Sequence, residues 1–568
     1  MKKINVFQTA FVLPYLTLIS INLATAFKCG TDELKIEPIP ISVPKEVQKR
    51  RAANEFTPIK IKADYTSFTR TGSMTSETLE KAKQLIDATI SEFNKLLKIQ
   101  HENIDLKGSE DIFKKGCKVN QFPSDFYNIL IENDLVIFPS FHGNLSSNVL
   151  AAATYCIYDT KTYRPYAGIL YINPSISFDK KNTDIYMKQI LLHEMTHILV
   201  FHPGLFEKWG LMKKINDIYY INSPNALSKA KQHFYCDSLT GIPLENQGDK
   251  GSAGSHWEAR YMLTDYMMST NYVEPTISDI TLALFEDSGI YQVNYYTGGL
   301  FKFGKNKGCA FFNRKCLYGG TTSFPDEFCT NFNQDSCTNA RTNKGSCLIY
   351  VYNTEVPEEH RYFTNPKYGG FYPADYCPVT AVDSNLKKND YLPTSCKYGT
   401  SSLSDYGEII GETSFCFNSS LLPSSSTLEQ KYRSICYEVE CDNTNKQIII
   451  KYGSSSVKCP TSGGSLNPSG FKGTVICPKY YDICSSGDNK LCNDLCDCID
   501  KKATTDQSSY SYIPGQKDDE KYIEPVLDDN GDNGNNGDID DIPIYRGGDS
   551  CLKYNYNLFL LILLLTFI

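Results

Sequence analysis

Two histidines and a glutamate lie close together in His193-Glu194-Met195-Thr196-His197. In an α-helix this spacing puts the imidazoles of His193 and His197 on one face, about one turn apart. Two such nitrogens can bind one Zn²⁺, and Glu194 is near enough to accept a proton from a water molecule on the ion. The segment therefore predicts a zinc site with a general base. The alternative is a buried helix that merely contains two histidines.

A catalytic zinc ion needs a third protein ligand and one open position. The candidates are His202, His256 and Glu258. His202 follows His197 by five residues, but the compact pattern H-E-x-x-H-x-x-G-x-x-H requires six and has glycine at the position of Val200. We therefore expect His202 to mark the end of the helix, before the Pro-Gly break that follows it. Glu258 would give a site of two histidines and one carboxylate.

His256 lies in the segment GSAGSHWEAR, residues 251–260, which is followed by Thr-Asp-Tyr-Met at residues 264–267. With these residues the sequence resembles the leishmanolysin family of metzincin peptidases. In that family a long insertion displaces the third histidine from the helix, and a turn with a methionine follows it. Here His256 follows His197 by 59 residues, and Met267 follows His256 by eleven.

The resemblance implies a role for each of these residues. The three histidines of the two segments would bind one Zn²⁺ per chain, and Glu194 would be the general base. Met267 would form an apolar floor beneath the metal without being a ligand, and Met268 beside it offers a second register for the turn. Residues 164–168 (RPYAG) look like the family's segment leading into the edge strand of the substrate cleft. Residues 477–484 (CPKYYDIC) are similar to a motif of its C-terminal domain.

Cys29, in FKCGTD at residues 27–32, resembles the family's prosegment cysteine. The resemblance implies that its thiolate occupies the open zinc position until the prosegment is removed, which suits the affinity of thiolates for Zn²⁺. Phe27 and Thr31 stand where the family has histidines. Removing Cys29 and Cys551 from the 21 cysteines leaves 19, an odd number, so a disulfide between Cys29 and the remaining cysteine is the alternative.

Composition narrows the classes of protein that fit this chain. Of its 568 residues, 41% are hydrophobic and 12% aromatic, which excludes a disordered chain, a collagen and a coiled coil. The formal charge of -8 argues against a nucleic-acid partner. Seventeen of the 21 cysteines lie between Cys236 and Cys498, which indicates a disulfide framework formed in the secretory pathway.

Both ends of the chain predict processing. Residues 1–26 combine two lysines, an apolar run and Ala24-Thr25-Ala26, as in a secretory signal peptide. The eleven apolar residues from Leu558 to Ile568 are too few to span a membrane. With the small residues before them, they predict that residues 549–568 are a GPI-attachment signal. A short tail anchor or a soluble product is the alternative. The protein would then lie on the extracellular face of the cell membrane or be secreted.

Hydrophobic periodicity and the cysteines predict the elements and domains between these ends. We expect strands at residues 56–61, 135–138, 167–172 and 447–451, and helices at residues 77–99 and 183–201. The basic run at residues 49–51 suggests a prosegment of residues 27–51. We expect an N-terminal catalytic subdomain (52–202), a central subdomain with the third ligand (203–305), a Cys-rich C-terminal domain (306–500) and an acidic Asn/Gly-rich stalk (501–548).

The expected fold class is therefore α+β: a metzincin-like catalytic domain, with a twisted mixed sheet and an active-site helix, and a disulfide-rich, mainly β or irregular C-terminal domain. The expected function is a secreted or cell-surface zinc endopeptidase that acts on proteins or peptides, in which Glu194 assists the attack of zinc-bound water. The alternative, motivated by Val200 and by the large cysteine-rich C-terminal region, is a catalytically inactive leishmanolysin-like protein with a binding or adhesion role. The sequence leaves the oligomeric state open.

Overall fold

The computed structural model describes part of the 568-residue chain. The described residues are 29–31, 34, 36–43, 55–72, 74–102, 104, 109–143, 145, 149–174, 183–247, 253–270, 274–295, 301–332, 334–382, 394–484 and 521–523. The predicted signal peptide, basic run and GPI signal lie outside them, as does almost all of the stalk. No helix within the described ranges is long and apolar enough to cross a membrane.

The described residues form ten α-helices and twenty-four strands in several sheets, which confirms the α+β class. The helices are α1 (Ser76–Leu96), α2 (Glu110–Cys117), α3 (Phe126–Glu132), α4 (Thr183–Leu199), α5 (Pro203–Trp209), α6 (Pro224–Phe234), α7 (Ala259–Met262), α8 (Asp279–Asp287), α9 (Ala310–Asn313) and α10 (Tyr480–Ile483). The strands of the N-terminal half are β1 (Ile39–Ile41), β2 (Phe56–Pro58), β3 (Ile61–Ala63), β4 (Leu97–Gln100), β5 (Leu135–Phe141), β6 (Ala151–Asp159), β7 (Pro165–Ile172), β8 (Met212–Ile215), β9 (Ile218–Ile221), β10 (Ile242–Pro243) and β11 (Tyr291–Val293).

The C-terminal half is built mainly from short strands, as predicted. They are β12 (Asp335–Cys337), β13 (Lys344–Cys347), β14 (Tyr350–Val351), β15 (Tyr368–Gly369), β16 (Thr380–Ala381), β17 (Ser414–Ser419), β18 (Leu422–Pro423), β19 (Arg433–Asp442), β20 (Gln447–Tyr452), β21 (Ser455–Lys458), β22 (Gly464–Leu466), β23 (Phe471–Lys472) and β24 (Val475–Cys477). Its largest sheet has six strands in the order β21-β20-β19-β17-β24-β22.

A five-stranded mixed sheet in the order β1-β6-β7-β5-β3 carries the N-terminal half. β3, β5 and β7 run parallel, whereas β6 is antiparallel to β7 and β1 is parallel to β6. The central strands are buried almost throughout, as expected for strands covered on both faces. α1 and α4 pack against this sheet.

The structure corrects two predictions about strands. Residues 164–168 lead into β7, which has β5 on one side and β6 on the other, so the expectation of an edge strand there is wrong. The strand outside β7 is β6, and its outer side pairs with β1 from the predicted prosegment. The single strand predicted at residues 56–61 is two strands, β2 and β3, in different sheets.

The helix predicted at residues 77–99 ends earlier, at Leu96. Thr75 caps its start by accepting a hydrogen bond from the Thr78 amide, and one apolar face continues to Leu96 as the periodicity indicates. Leu97 then turns extended, with ψ of 137°, and β4 pairs with both β2 and β11. Tertiary strand pairing therefore overrides a helical repeat that continues in the sequence.

One apolar cluster in the described residues extends from Ile59 to Ala381, and a second begins beyond residue 400. The first contains side chains from both sides of residue 305, so packing does not separate the predicted segments 203–305 and 306–500 at that point. The domain boundaries stay predictions.

Eight disulfides join sixteen of the described cysteines, which confirms the predicted framework. The pairs are Cys117–Cys156, Cys236–Cys309, Cys316–Cys377, Cys329–Cys347, Cys337–Cys416, Cys396–Cys436, Cys441–Cys484 and Cys459–Cys477. Cys29 is a thiol instead of a disulfide partner.

Candidate metal centre

The fold brings four predicted site residues to one point. One ligand atom from each of Cys29, His193, His197 and His256 lies within 4.8 Å of the others. The two helix histidines come from α4, His256 comes from the loop before α7, and Cys29 comes from the predicted prosegment. The group therefore joins residues that are up to 227 positions apart in the chain (256 minus 29).

The position of α4 against the sheet depends on a glycine in β7. A Cβ at Gly168 would lie 2.4 Å from Ile198 Cγ2, which is far inside a normal contact. Glycine therefore lets the last turns of the helix approach the strand closely, and Ile198 is fully buried there. This approach sets the depth at which His197, the neighbour of Ile198, enters the site.

The helix leaves the site through Val200, where the related compact pattern has glycine. The amides of Val200 and Phe201 both donate to the carbonyl of Thr196, each at 2.9 Å. Val200 is not among the residues with positive φ, so its backbone does not require glycine. This turn at the end of the helix places the Phe201 carbonyl 2.6 Å from His197 Nδ1. The end of the helix therefore helps to orient the imidazole of His197.

Backbone carbonyls fix the orientation of both helix histidines. His193 Nδ1 lies 2.5 Å from the Tyr266 carbonyl, and because a carbonyl only accepts, Nδ1 donates there as it does in His197. The Nε2 atoms of His193 and His197 then face each other at 3.1 Å, as metal ligands do when the other ring nitrogen is held. His256 Nδ1 is 3.0 Å from the Ser255 hydroxyl.

Burial keeps His193 and His197 neutral, which is the form that binds a metal. Burial lowers the pKa of His193 to about 4. Burial also lowers the pKa of His197 well below its usual value, with contributions from His193 and His256. At neutral pH the site therefore offers uncharged imidazoles.

Glu194 is buried beside the histidines. The Thr31 hydroxyl lies 2.9 Å from the Ala153 carbonyl and 3.3 Å from the Glu194 carboxylate, two acceptors that share its one hydrogen. The Cys29 thiol is 3.7 Å from the same carboxylate oxygen and 3.4 Å from His197 Nε2. The predicted prosegment thus contacts both the base and a ligand.

The segment of Cys29 lies between two walls of the cleft. The Gly30 amide donates to the carbonyl of Ala151 in β6 at 3.1 Å, and the Cys29 amide donates to the Ser269 carbonyl at 3.4 Å. The cleft is lined by Cys29, Leu150, Ala151, Gln189, Ile190, His193, Glu194, Asp265, Tyr266, Met268, Ser269, Thr270 and Pro275. The alternative disulfide for Cys29 does not form in this arrangement.

The other two candidates for the third ligand lie elsewhere. His202 caps α5 by accepting a hydrogen bond from the Gly204 amide at 3.0 Å, in agreement with its predicted place at a helix end. Glu258 caps α7 through the Arg260 amide. Of the two methionines, Met267 is fully buried and Met268 borders the cleft, so the role of Met267 as the floor stays a prediction.

Sequence reasoning missed residues that support the site. Tyr266 contributes its carbonyl to His193 and places its hydroxyl 2.8 Å from that of Thr196. Asp265 accepts hydrogen bonds from the Met267 amide and the Thr281 hydroxyl, and burial raises its pKa to about 6. Both residues stand in the Thr-Asp-Tyr-Met segment that carries the family resemblance, but their types alone do not predict these contacts.

Comparison with known proteins finds similarity to leishmanolysins along most of the chain. A family model described as leishmanolysin matches residues 76–490. A leishmanolysin homolog of Crithidia fasciculata is 28% identical over 449 residues, covering 74% of this chain and 66% of its own. Leishmanolysin of Leishmania tropica is 28% identical over 382 residues, 64% of this chain and 56% of its own.

A leishmanolysin-like peptidase of Drosophila melanogaster is 30% identical over 324 residues, which cover 49% of this chain and 46% of the relative. The chain therefore spans between about half and two thirds of the length of these relatives.

Proposed function

This chain belongs to the leishmanolysin family, and we propose that it is a zinc endopeptidase whose precursor is blocked by its own amino-terminal segment. The observation that carries the proposal is the convergence of three histidines, Glu194 and Cys29 on one buried point. The substrates would be proteins or peptides that enter the cleft between β6 and residues 265–270.

The donor set suits zinc. Imidazole nitrogen and thiolate sulfur are the ligands that Zn²⁺ takes in four-coordinate sites. His193, His197 and His256 would hold the ion, and Cys29 would be the fourth ligand in the precursor. A zinc ion bound there lowers the pKa of a coordinated water to about 7 and polarises a substrate carbonyl.

Glu194 would move the proton in the reaction. Its carboxylate lies beside the ligands, where it can accept a proton from the attacking water and then give it to the leaving amine. In the precursor the Thr31 hydroxyl occupies one of its oxygens. Departure of residues 27–51 would therefore release the base as well as the fourth metal position.

The location would be the extracellular face of the membrane or the medium. Eight disulfides support an oxidising compartment. The signal peptide at residues 1–26 and the lipid anchor directed by residues 549–568 remain proposals from the sequence. The rival hypothesis is an inactive binding protein, motivated by Val200 and by the large cysteine-rich C-terminal region. The first motive gains no support, because the backbone of Val200 does not need glycine.

The test uses the full chain expressed in a secretory host, with the amino terminus of the product sequenced to verify removal of the prosegment. We expect the wild type to cleave an unfolded protein and to contain about one zinc ion per chain. Glu194→Ala should keep the zinc and lose cleavage, whereas His256→Ala should lower zinc content. Glu207→Ala, on the exposed side of α5, is the matched control and should behave as wild type.

Retained cleavage by Glu194→Ala would contradict the role of the base. Zinc without cleavage in the processed wild type would favour the binding protein.

A further inference from the structure

The predicted prosegment contacts β6 at a second place, away from the metal. β1 runs parallel to β6, with Ile39, Pro40 and Ile41 opposite residues 157–159. The Thr160 amide donates to the Ile41 carbonyl at 2.9 Å. This pairing is separate from the contact of Gly30 with Ala151 near the metal.

β1 fills an apolar groove between β6 and α2. Ile41 and Val43 are 7% and 2% exposed, and they share one cluster with Phe113 and Ile157. The disulfide Cys117–Cys156 joins the two walls.

Gly116 brings α2 close to the strand. A Cβ on that glycine would lie 2.9 Å from Ile157 Cδ1 and 3.3 Å from Ile39 Cδ1. The groove thus accepts large aliphatic side chains at alternate positions, while Ser42 between Ile41 and Val43 is exposed.

The groove and the metal centre share one strand. Thr31 contacts Ala153, and Ile157 follows Ala153 by four positions in β6, or roughly 13 Å of extended chain. An extended ligand that follows β6 from the metal would reach the groove after about four residues. In the prosegment, Ile39 follows Thr31 by eight positions.

Removal of residues 27–51 takes β1 away and uncovers both the groove and the edge of β6. An uncovered strand edge beside apolar pockets binds an added strand. We infer that this groove is a second substrate-binding site, which takes an extended segment of a protein substrate with aliphatic side chains at alternate positions. The inference rests on the proposed function, because that function supplies the substrate and the removal of the prosegment.

Binding tests the groove without catalysis. The probe is a fluorescein-labelled peptide of residues 36–45, IEPIPISVPK, which lacks Cys29, and the protein is the processed full-length product in its Glu194→Ala form. We expect saturable binding by fluorescence anisotropy. The Ile41→Asp peptide should bind at least tenfold more weakly, and the Ser42→Asp peptide, its matched control, should bind as the parent does. No binding, or equal binding of the Ile41→Asp and Ser42→Asp peptides, would overturn the inference.

Competition tests the link to substrate. With the wild-type processed protein, the unlabelled peptide should slow cleavage of a long unfolded protein at least threefold and leave cleavage of a hexapeptide unchanged. Equal inhibition of both substrates would place the peptide in the metal cleft, and inhibition of neither would remove the groove from substrate binding; either result overturns the inference. Failure to cleave either substrate would count against the proposed function, and the binding measurement would still decide whether the groove accepts the aliphatic strand.

Discussion

Cys29 and Thr31 contact different functional side chains of the metal centre. The Cys29 thiol lies next to His197, and the Thr31 hydroxyl lies 3.3 Å from a carboxylate oxygen of Glu194. A thiolate near a metal displaces water as a ligand, and a hydroxyl beside a carboxylate takes up one of its hydrogen-bonding positions. The segment therefore opposes both parts of the proposed reaction with two side chains that only Gly30 separates.

Loss of the Cys29 sulfur should activate the unprocessed chain. We expect Cys29→Ala, in a chain with Arg50→Ala and Arg51→Ala to hinder cleavage of the basic run, to raise hydrolysis of an unfolded protein at least tenfold over the same chain with Cys29. The physical reason is that alanine leaves one metal position for water. Cleavage rates, with the amino terminus verified as intact, are the measurement. Equal rates for the two chains would show that the thiol does not block the site.

The ligand residues could be predicted from the sequence, whereas their supports could not. The spacing of His193 and His197, together with the segment around His256, identifies side chains whose chemistry is visible in their type. The groups that orient the helix histidines are the carbonyls of Phe201 and Tyr266. Every residue has a carbonyl, so the sequence carries no signal that these two carbonyls orient the histidines.

At the scale of elements, the sequence predicts where strands lie along the chain better than it predicts which strands pair in the sheet. β5 and β7 were found from their apolar, β-branched residues, but the edge was assigned to the wrong strand. β6 (AAATYCIYD) was not predicted, because its three alanines and mixed polarity give no clear alternation. Strand order is set by pairing between distant residues, which local composition does not encode.

The pairing of the prosegment with β6 should depend on Gly30. A Cβ at this residue would lie 2.4 Å from Val149 Cγ1 and 3.2 Å from the Ala152 Cβ, and both side chains are buried. We expect Gly30→Ala to weaken the seating of the segment and to raise the activity of the unprocessed chain severalfold with Cys29 still present. Gly143→Ala is the matched control, since nothing lies within 4 Å of a Cβ there. Equal activities of the two variants would mean that the close contact does not hold the segment.

At the scale of the whole molecule, a buried carboxylate links the cleft to the Cys-rich region. Glu274 accepts hydrogen bonds from the Thr338 hydroxyl at 2.7 Å, the Ala340 amide at 2.8 Å and the Thr342 hydroxyl at 2.8 Å. Burial raises its pKa, and these three donors, together with the Thr342 amide, oppose the rise. Its neighbour Pro275 lines the cleft. The C-terminal region is thus attached to the wall of the proposed active site.

Removing this carboxylate should destabilise the attachment. Glu274→Ala removes the acceptor of the Ala340 amide, which costs about 1–3 kcal/mol if this buried group finds no other partner. The Thr338 and Thr342 hydroxyls lose one acceptor each but keep Asn343 within reach. We expect a lower urea midpoint for unfolding and faster proteolysis within residues 334–347. Glu355→Ala is the control, because this glutamate is 55% exposed in a surface ion pair with Arg361, a kind of pair worth at most about 1 kcal/mol.

Glu274→Gln separates the two contributions of this carboxylate. The amide retains one acceptor oxygen but loses the charge, so its midpoint should fall between those of wild type and Glu274→Ala. A midpoint of Glu274→Ala equal to that of Glu355→Ala would show that the three hydrogen bonds add nothing beyond a surface contact. The two regions would then be held together by the shared apolar cluster that extends from Ile59 to Ala381, since that cluster crosses residue 305 without this carboxylate.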